Sequence, residues 1–387
     1  MGPLKQFKTN LAFHFSKSLN KPLIKPYWIY ISLTHKCNFN CRMCGVKNIL
    51  KEYELDFDTL RKVFQEISGW DSDCVVVFTG GEPFLREDIF DIIDTSASLG
   101  LVTEIVSNGS QINNMHIAKR IIRSGIENIA VSLDGATSQV HDHIRGVEGA
   151  YKKATDALRY LSEAKKINRN LGPQISAWVT IMKENSEELH DIIYLSKELG
   201  VECLVYHPVI VTQDDMQNTI KCGDFWLEDT QIDMLKDKID KIAEYQKQNG
   251  LVAFLHDPYL WIKYFQGALS KQDWQCNPFV FIDIGPDGSV RSCGPAFGNV
   301  KEMSLADCLN TIEAQKARAR MLKCNKPCLQ TCWARPESDY LMNIVNNFIS
   351  QLGNLKDGPS HKKELIEKGI GFLSQYEDLI AKKLQQR

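Results

Sequence analysis

From Trp28 to Tyr206 the chain alternates short apolar or β-branched runs with longer stretches whose apolar residues recur at helical spacing. The pattern predicts six strands, at Trp28–Leu33, Cys74–Phe78, Leu101–Val106, Asn128–Leu133, Ser176–Ile181 and Cys203–Tyr206. Between them it predicts helices near Phe57–Ser68, Glu87–Ser98, Met115–Ser124, Ala150–Lys165 and Glu187–Leu199. Leu99-Gly100, Ser124-Gly125 and Leu199-Gly200 supply glycine stops to three of these helices. Strands that alternate with helices in this way form a parallel α/β sheet.

The flanks read differently. Residues 1–27 interleave Lys5, Lys8, Lys17, Lys21 and Lys25 with Phe7, Leu11, Phe13, Phe15 and Leu19, and carry no acidic residue. This is the pattern of a basic amphipathic helix, suited either to weak contact with an anionic membrane surface or to packing on the fold with its lysines in water. Residues 211–275 form a bridge. Asp214 to Asp224 is polar and aperiodic, then Ile232, Leu235, Ile239 and Ile242 predict a helix over Thr230–Gln248, and an aromatic stretch over Leu251–Phe265 reads as helical core. In 276–340, Phe281–Ile284 and Ser289–Arg291 flank Pro286-Asp287-Gly288 as a hairpin. The tail, 341–387, alternates apolar and charged residues as surface helices do. The parallel α/β domain is thus expected at 28–210.

Charge narrows the partners. With 46 Lys+Arg against 48 Asp+Glu and a net charge of -2, nothing points to a nucleic-acid binder. The twelve cysteines cluster at close spacings with no signal peptide before them, which favours metal ligation in a reducing cytoplasm over a disulfide framework. No apolar run approaches the roughly 20 residues of a membrane-spanning helix.

The first cluster, Cys37-Asn38-Phe39-Asn40-Cys41-Arg42-Met43-Cys44, follows the first predicted strand. Three residues and then two between thiols let a looped backbone aim all three at one soft metal centre, zinc or an iron–sulfur cluster. Three ligands on a four-iron cluster leave one iron open. Further distinctive residues follow the later strands, where parallel α/β folds collect their chemistry. They are Thr79-Gly80-Gly81-Glu82-Pro83, Ser107-Asn108-Gly109, Ser132-Leu133-Asp134-Gly135 and Ile144-Arg145-Gly146. A carboxylate beside glycine backbone can receive an ammonium group, and an arginine fork suits a carboxylate. Asp134 and Asp142 are equally suited to loop or helix-cap duty, and His141 and His143 read as loop histidines.

The C-x3-C-x2-C spacing after an apolar strand, with Gly80-Gly81-Glu82-Pro83 beyond it, resembles the radical S-adenosylmethionine (radical SAM, AdoMet) superfamily. The resemblance implies a partial (β/α)6 barrel, a four-iron cluster on Cys37, Cys41 and Cys44, and AdoMet chelated at the open iron. It implies that Gly80, Gly81, Glu82 and Pro83 hold the amino group of AdoMet and that Ser107 and Asn108 lie near its nucleoside. Ser132 and Arg145 then reach its carboxylate and ribose, with Asp134 beside them, and apolar groups at the sixth strand end, Tyr206 included, flank the adenine. His207 reads as a substrate contact or as plain structure. Cys276, eleven residues, Gly288, four residues and Cys293, followed by Cys324, Cys328 and Cys332, resemble the SPASM or shorter Twitch extension. Five thiols imply one auxiliary four-iron cluster on Cys276, Cys293 and two of Cys324, Cys328 and Cys332, with Cys328 and Cys332 the first choice and the leftover, Cys324 on that choice, idle or a candidate hydrogen-atom donor. Zinc on the same ligands is the alternative. The expected partners are a low-potential donor such as flavodoxin or ferredoxin and a small-molecule substrate of sugar, aminocyclitol or nucleotide-sugar type, oxidised or epimerised. A ribosomal peptide or protein substrate is the alternative. An iron–sulfur electron carrier or zinc scaffold is the non-enzyme reading, and it leaves Glu82, Ser132 and Arg145 without a task.

Overall fold

A computed structural model describes residues 2–46, 53–70, 74–210, 224–254, 257–270, 273, 276–324, 328–329, 340–355 and 359–385. Six parallel strands, β1 (Trp28–Ser32), β2 (Val75–Thr79), β3 (Val102–Ser107), β4 (Asn128–Ser132), β5 (Gln174–Ile181) and β6 (Cys203–Pro208), lie side by side in chain order. Helices α2 (Phe57–Ser68), α3 (Ile89–Ser98), α4 (Met115–Ile122), α5 (Ser138–Arg145), α6 (Ala150–Ile167) and α7 (Leu189–Glu198) connect them. The sheet stays open, as a partial barrel does. With β7 (Val252–Phe254), β8 (Phe281–Ile284), β9 (Ser289–Arg291) and β10 (Gly298–Asn299) its order runs β10-β9-β8-β1-β2-β3-β4-β5-β6-β7, so the late hairpin of β8 and β9 extends the same sheet beyond β1. β8 runs parallel to β1, with Asp283 level with Tyr30.

Period-two alternation gives the sheet its two faces. Ile29 and Ile31 of β1, Ala177 and Val179 of β5, and Ile282 and Ile284 of β8 join the buried core under the helices. Their strand neighbours Tyr30, Ser32, Trp178, Thr180, Phe281 and Asp283 turn to the other face and stay half-buried. The helices close onto the core by short polar caps. The Asp56 carboxylate accepts from Thr59 N at 2.8 Å at the start of α2, and Asn114 Oδ1 from Ile117 N at 3.0 Å at the start of α4.

Three expectations change. The segment carrying His141 and His143 is not a loop but α5, started by the Thr137 cap and ended at Gly146 in the left-handed region. The bridge is not all helix. After α8 (Asp229–Asn249), β7 (Val252–Phe254) pairs parallel to β6 before α9 (Leu260–Phe265), because a short apolar run starting at Leu251 is a strand when a sheet edge stands open beside it. The tail is more than surface helix: α12 (Tyr340–Asn354) and α13 (Pro359–Gln385) pack on α1 (Pro3–Leu19). Phe7, Leu11 and Phe15 of α1 meet Ile344, Phe348 and Leu352, with Phe7 and Phe348 stacked at 4.3 Å. Phe13 packs instead on Phe279 and Val280. The apolar residues that a membrane contact by residues 1–27 would need are therefore used inside the molecule. Among the described residues no helix is long and apolar enough to cross a membrane. β10 (Gly298–Asn299), α10 (Leu305–Asn310) and α11 (Ile312–Lys323) complete the chain order. Most of the aperiodic stretch at 214–224 lies outside the described residues.

Candidate active site and cluster-binding loop

The cysteine loop leaves β1 and is clasped from two sides by glycines. On one side Gly81 N donates to Thr34 O at 2.7 Å and Glu82 N to Lys36 O at 2.8 Å. A Cβ on Gly81 would stand 2.0 Å from Lys36 O, and one on Gly80, at φ +125°, 2.5 Å from Thr34 O. The two glycines thus seat the backbone that leads into Cys37. On the other side Arg42 N donates to Ile144 O at 2.9 Å, and a Cβ on Gly146 would stand 2.1 Å from Asn40 O. Phe39 and Cys41 pack against Ala150 at the start of α6, with Met43, Cys44 and Val147 around them.

Glu82 is fully buried. Its Oε1 accepts from Ser107 Oγ at 2.8 Å and Phe84 N at 3.1 Å, and its Oε2 from Asn108 N at 2.7 Å. Burial pushes its carboxyl up to about 7 against those donors. Pro83 opens the short 3-10 turn Pro83–Leu85 that places Phe84 N at the carboxylate. Asn108 Nδ2 reaches back to Asn38 Oδ1 at 3.0 Å, and Asn38 Nδ2 to Ser110 Oγ at 2.8 Å. Asn38 and Ser110 are site residues that the sequence reading passed over. The available signal was an amide inside the cysteine loop itself.

The third wall is ionic. Arg145 pairs with fully buried Asp134 at 2.5 Å and donates from Nη1 to Cys41 Sγ at 3.7 Å. Asp134 Oδ1 also accepts from Thr180 N at 2.8 Å, and Asn185 Nδ2 bridges the carbonyls of Asp134 and Thr180, each at 2.8 Å. Beneath them His141 Nδ1 accepts from Asp134 N at 3.1 Å. Burial, with Arg145 nearby, holds this imidazole well below its ordinary range, so it stays neutral. Asp142 caps α6, accepting from Gly149 N at 2.7 Å and Tyr151 N at 2.6 Å. Ser132 stands half-buried at the end of β4, level with Trp178. Across the mouth Arg42 meets His143 and, at 3.0 Å, Glu184.

Tyr206 does not belong to this group. Alternation along β6 turns it to the helix side, where it is fully buried against Trp261 and its hydroxyl donates to Leu189 O. The residue that faces inward beside it is His207, with Trp178 edge-on at 6.2 Å and Thr180 Oγ1 at 3.4 Å.

Of the auxiliary cysteines, Cys276 precedes β8 and, with Cys328, packs against the main core. Cys293 follows β9, and its carbonyl accepts from Arg320 Nη2 of α11 at 3.0 Å. Cys324 caps the end of α11 in extended backbone, and Cys328 lies in irregular backbone. Cys332 lies outside the described residues.

The donor set fits an iron–sulfur cluster. Burial raises Cys37 to about 11 and also raises Cys41, whose thiol feels the Arg145 guanidinium. A metal would therefore displace protons from both, and Arg145 would face the resulting negative charge. Arg145 Nε is buried without a hydrogen-bond partner, which leaves a donor for a ligand beside Cys41. Among the described residues no three His, Cys, Asp or Glu side chains stand close enough together to hold a metal ion, and Cys332 of the zinc alternative lies outside them.

Among relatives, the AdoMet-dependent heme synthase of Methanosarcina barkeri is 29% identical over 184 residues, 47% of this chain and 50% of that one. The PqqA peptide cyclase of Methylocella silvestris is 26% identical over 189 residues, 47% of this chain and 48% of that one. The matches thus span about half the length of these relatives. Streptococcus suis SuiB bound to S-adenosylmethionine superposes with a TM-score of 0.58 at 15% identity, over 73% of this chain and 65% of that one. The structure of anSMEcpe with AdoMet and the Kp18Cys peptide gives 0.58 at 15% over 89% of this chain and 99% of that one. At such identity the likeness is one of fold. Residues 31–195 match the radical SAM superfamily and residues 276–333 the SPASM iron–sulfur cluster-binding domain, so the chain is a radical SAM protein with a C-terminal SPASM domain.

Proposed function

We propose that the chain is a radical SAM enzyme that removes a hydrogen atom from a carbon of a peptide or protein substrate, using one cluster on the 37–44 loop and one auxiliary cluster. The observation that carries the first part is the clasped loop with its buried Glu82 and Arg145. When bound, such a cluster and AdoMet supply a low-potential electron, reductive cleavage of a sulfonium carbon–sulfur bond and hydrogen-atom abstraction.

The chain's own residues do the rest. Cys37, Cys41 and Cys44 would ligate the first cluster. Cys276 and Cys293, with two of Cys324, Cys328 and Cys332, would ligate the second. Glu82, kept dry under Ser107 and Asn108, offers its remaining acceptor capacity to an ammonium group, which would draw its carboxyl back down. Arg145, steadied by Asp134, whose carboxylate Thr180 N holds in turn, offers Nε to a carboxylate. Ser132, Trp178 and His207 border the cavity below, with a low-potential flavodoxin or ferredoxin as the electron source outside.

Support for a peptide comes from the Methylocella silvestris relative, which by name acts on one. The sugar, aminocyclitol or nucleotide-sugar substrate expected from the cysteine count has no counterpart in the names of the relatives given above. The test is anaerobic incubation of the reconstituted chain with AdoMet, dithionite and a panel of side-chain-deuterated peptides. Deuterium in the 5′-deoxyadenosine is the expected result. 5′-Deoxyadenosine that takes label only from deuterated sugars would overturn the peptide reading, and no 5′-deoxyadenosine at all would overturn the enzyme.

A further inference from the structure

The inward face of the β8–β9 hairpin carries a polar pair that none of the chemistry above employs. Asp283 and Arg291 stand directly opposite each other across the antiparallel strands. Their neighbours Ile282, Ile284 and Val290 belong to the helix-side core, so the pair faces the barrel interior. There Asp283 is level with Tyr30 of β1, whose ring meets Phe281 edge-on at 6.4 Å. Each side chain keeps close to a third of its surface open, 31% for Asp283 and 30% for Arg291.

The two charges are near without closing on each other. Arg291 Nε is 3.9 Å from Asp283 Oδ2, beyond hydrogen-bond length, and has no hydrogen-bond partner among the described residues. Each is instead tethered sideways: Arg291 Nη2 donates to Ser289 Oγ at 2.5 Å, and the Asp283 carboxylate is hydrogen-bonded by the Ser32 side chain of β1. The tethers hold an acceptor and a donor side by side on the inward face of the sheet. An adjacent N–H and C=O is the complement of that arrangement.

We propose that Asp283 and Arg291 form an amide-recognition site on the barrel wall, Asp283 accepting from a substrate N–H and Arg291 donating to the neighbouring C=O. The two charges already compensate each other, so a neutral amide adds hydrogen bonds without bringing net charge into the cavity. A free amino acid offers the same donor and acceptor but carries full charges, and it is the second arm of the test. The assignment rests on the peptide reading above and places a specificity-determining role on the auxiliary domain. It explains why the hairpin is built into the barrel's own sheet next to β1.

The test measures binding to the cluster-loaded full chain with AdoMet by saturation-transfer NMR. The probes are acetyl-glycyl-glycine amide, its ester analogue lacking the central N–H, and glycine. The amide is expected to bind about fivefold more tightly than the ester, one hydrogen bond's worth, and more tightly than glycine. Asp283→Asn and Arg291→Gln should each cut the amide-over-ester preference to below about twofold, with Arg291→Lys between. Equal binding of amide and ester by the unmodified chain, no binding of either, or tighter binding of glycine overturns the proposal without recourse to any variant. 5′-Deoxyadenosine formation is read separately. A lost amide preference with that product intact removes this site alone, whereas a retained preference without it removes the reaction instead.

Discussion

The cysteine loop at residues 37–44 and the cysteine hairpin at 276–293 hang from neighbouring strands of one sheet, β1 and β8, and are held in different ways. The loop is gripped by backbone: Lys36 O and Asn40 O lie where a side chain on Gly81 or Gly146 would have to go, and Arg145 and Glu82 close over it from buried positions. The hairpin is gripped by side chains and by its register against β1. Gly288 turns it at φ +88°, with Asn299 Oδ1 as the nearest obstacle, and Arg320 ties Cys293 to α11. A backbone grip tolerates almost no change and holds its ligands ready. A side-chain grip yields more readily, although the hairpin strands also keep their backbone pairing to β1 and β10.

The largest break in that contrast comes at Gly81. Gly81→Ala puts a methyl group 2.0 Å from a carbonyl that cannot rotate away. A stability loss of roughly 3 kcal/mol or more is expected, together with a fall from about eight to about four irons per chain, read by iron analysis and urea denaturation. Unchanged iron would show that the grip is not needed. Next is Arg145→Met, which strands the buried Asp134 carboxylate at a cost of about 3–5 kcal/mol. Adding Asp134→Asn should recover part of it, so strict additivity in a double-mutant cycle would contradict the pairing.

Smaller effects sharpen the hairpin side. Burial raises the Asp283 carboxyl from 3.8 to about 6, with Arg291 pulling the other way. The folded chain therefore holds that proton more tightly than the unfolded one. Its stabilising contribution is complete below about pH 4 and is lost as the pH rises through about 6. Asp283→Asn should accordingly raise stability at pH 7.5 by about 1–2 kcal/mol, a value discounted for the open side toward the barrel, and by nothing measurable at pH 4. A thermal-melt series across that range checks the sign. Gly288→Ala should cost about 1–2 kcal/mol for its left-handed turn and for pushing Asn299 Oδ1 off Lys301 N, and because the obstacle is a side chain, iron content should hold.

The same difference explains what was legible in the sequence. Strand order from Trp28 to Tyr206 and every connecting helix except α5 followed from periodicity, and the C-x3-C-x2-C loop with Gly80–Pro83 marked the site because both are short in sequence. Contacts made by folding were not legible. Asn38 meeting Asn108, His141 beneath Asp134 and the α1–α12–α13 layer join residues that no local pattern links. Tyr206 was misplaced for a subtler reason: an apolar strand buried on both faces hides which side each residue takes, and only the register against β5 decides it. Asp283 and Arg291 fall within the predicted hairpin strands, and nothing local in the sequence sets β8 beside β1.

The central claim is that the 37–44 loop alone holds the cluster that meets AdoMet. Electron paramagnetic resonance of the dithionite-reduced Cys276→Ala/Cys293→Ala chain, recorded before and after adding AdoMet, tests it most directly. The account predicts a remaining four-iron signal whose g values change when AdoMet is added. A remaining signal indifferent to AdoMet, or its complete disappearance with the hairpin cysteines, would contradict it.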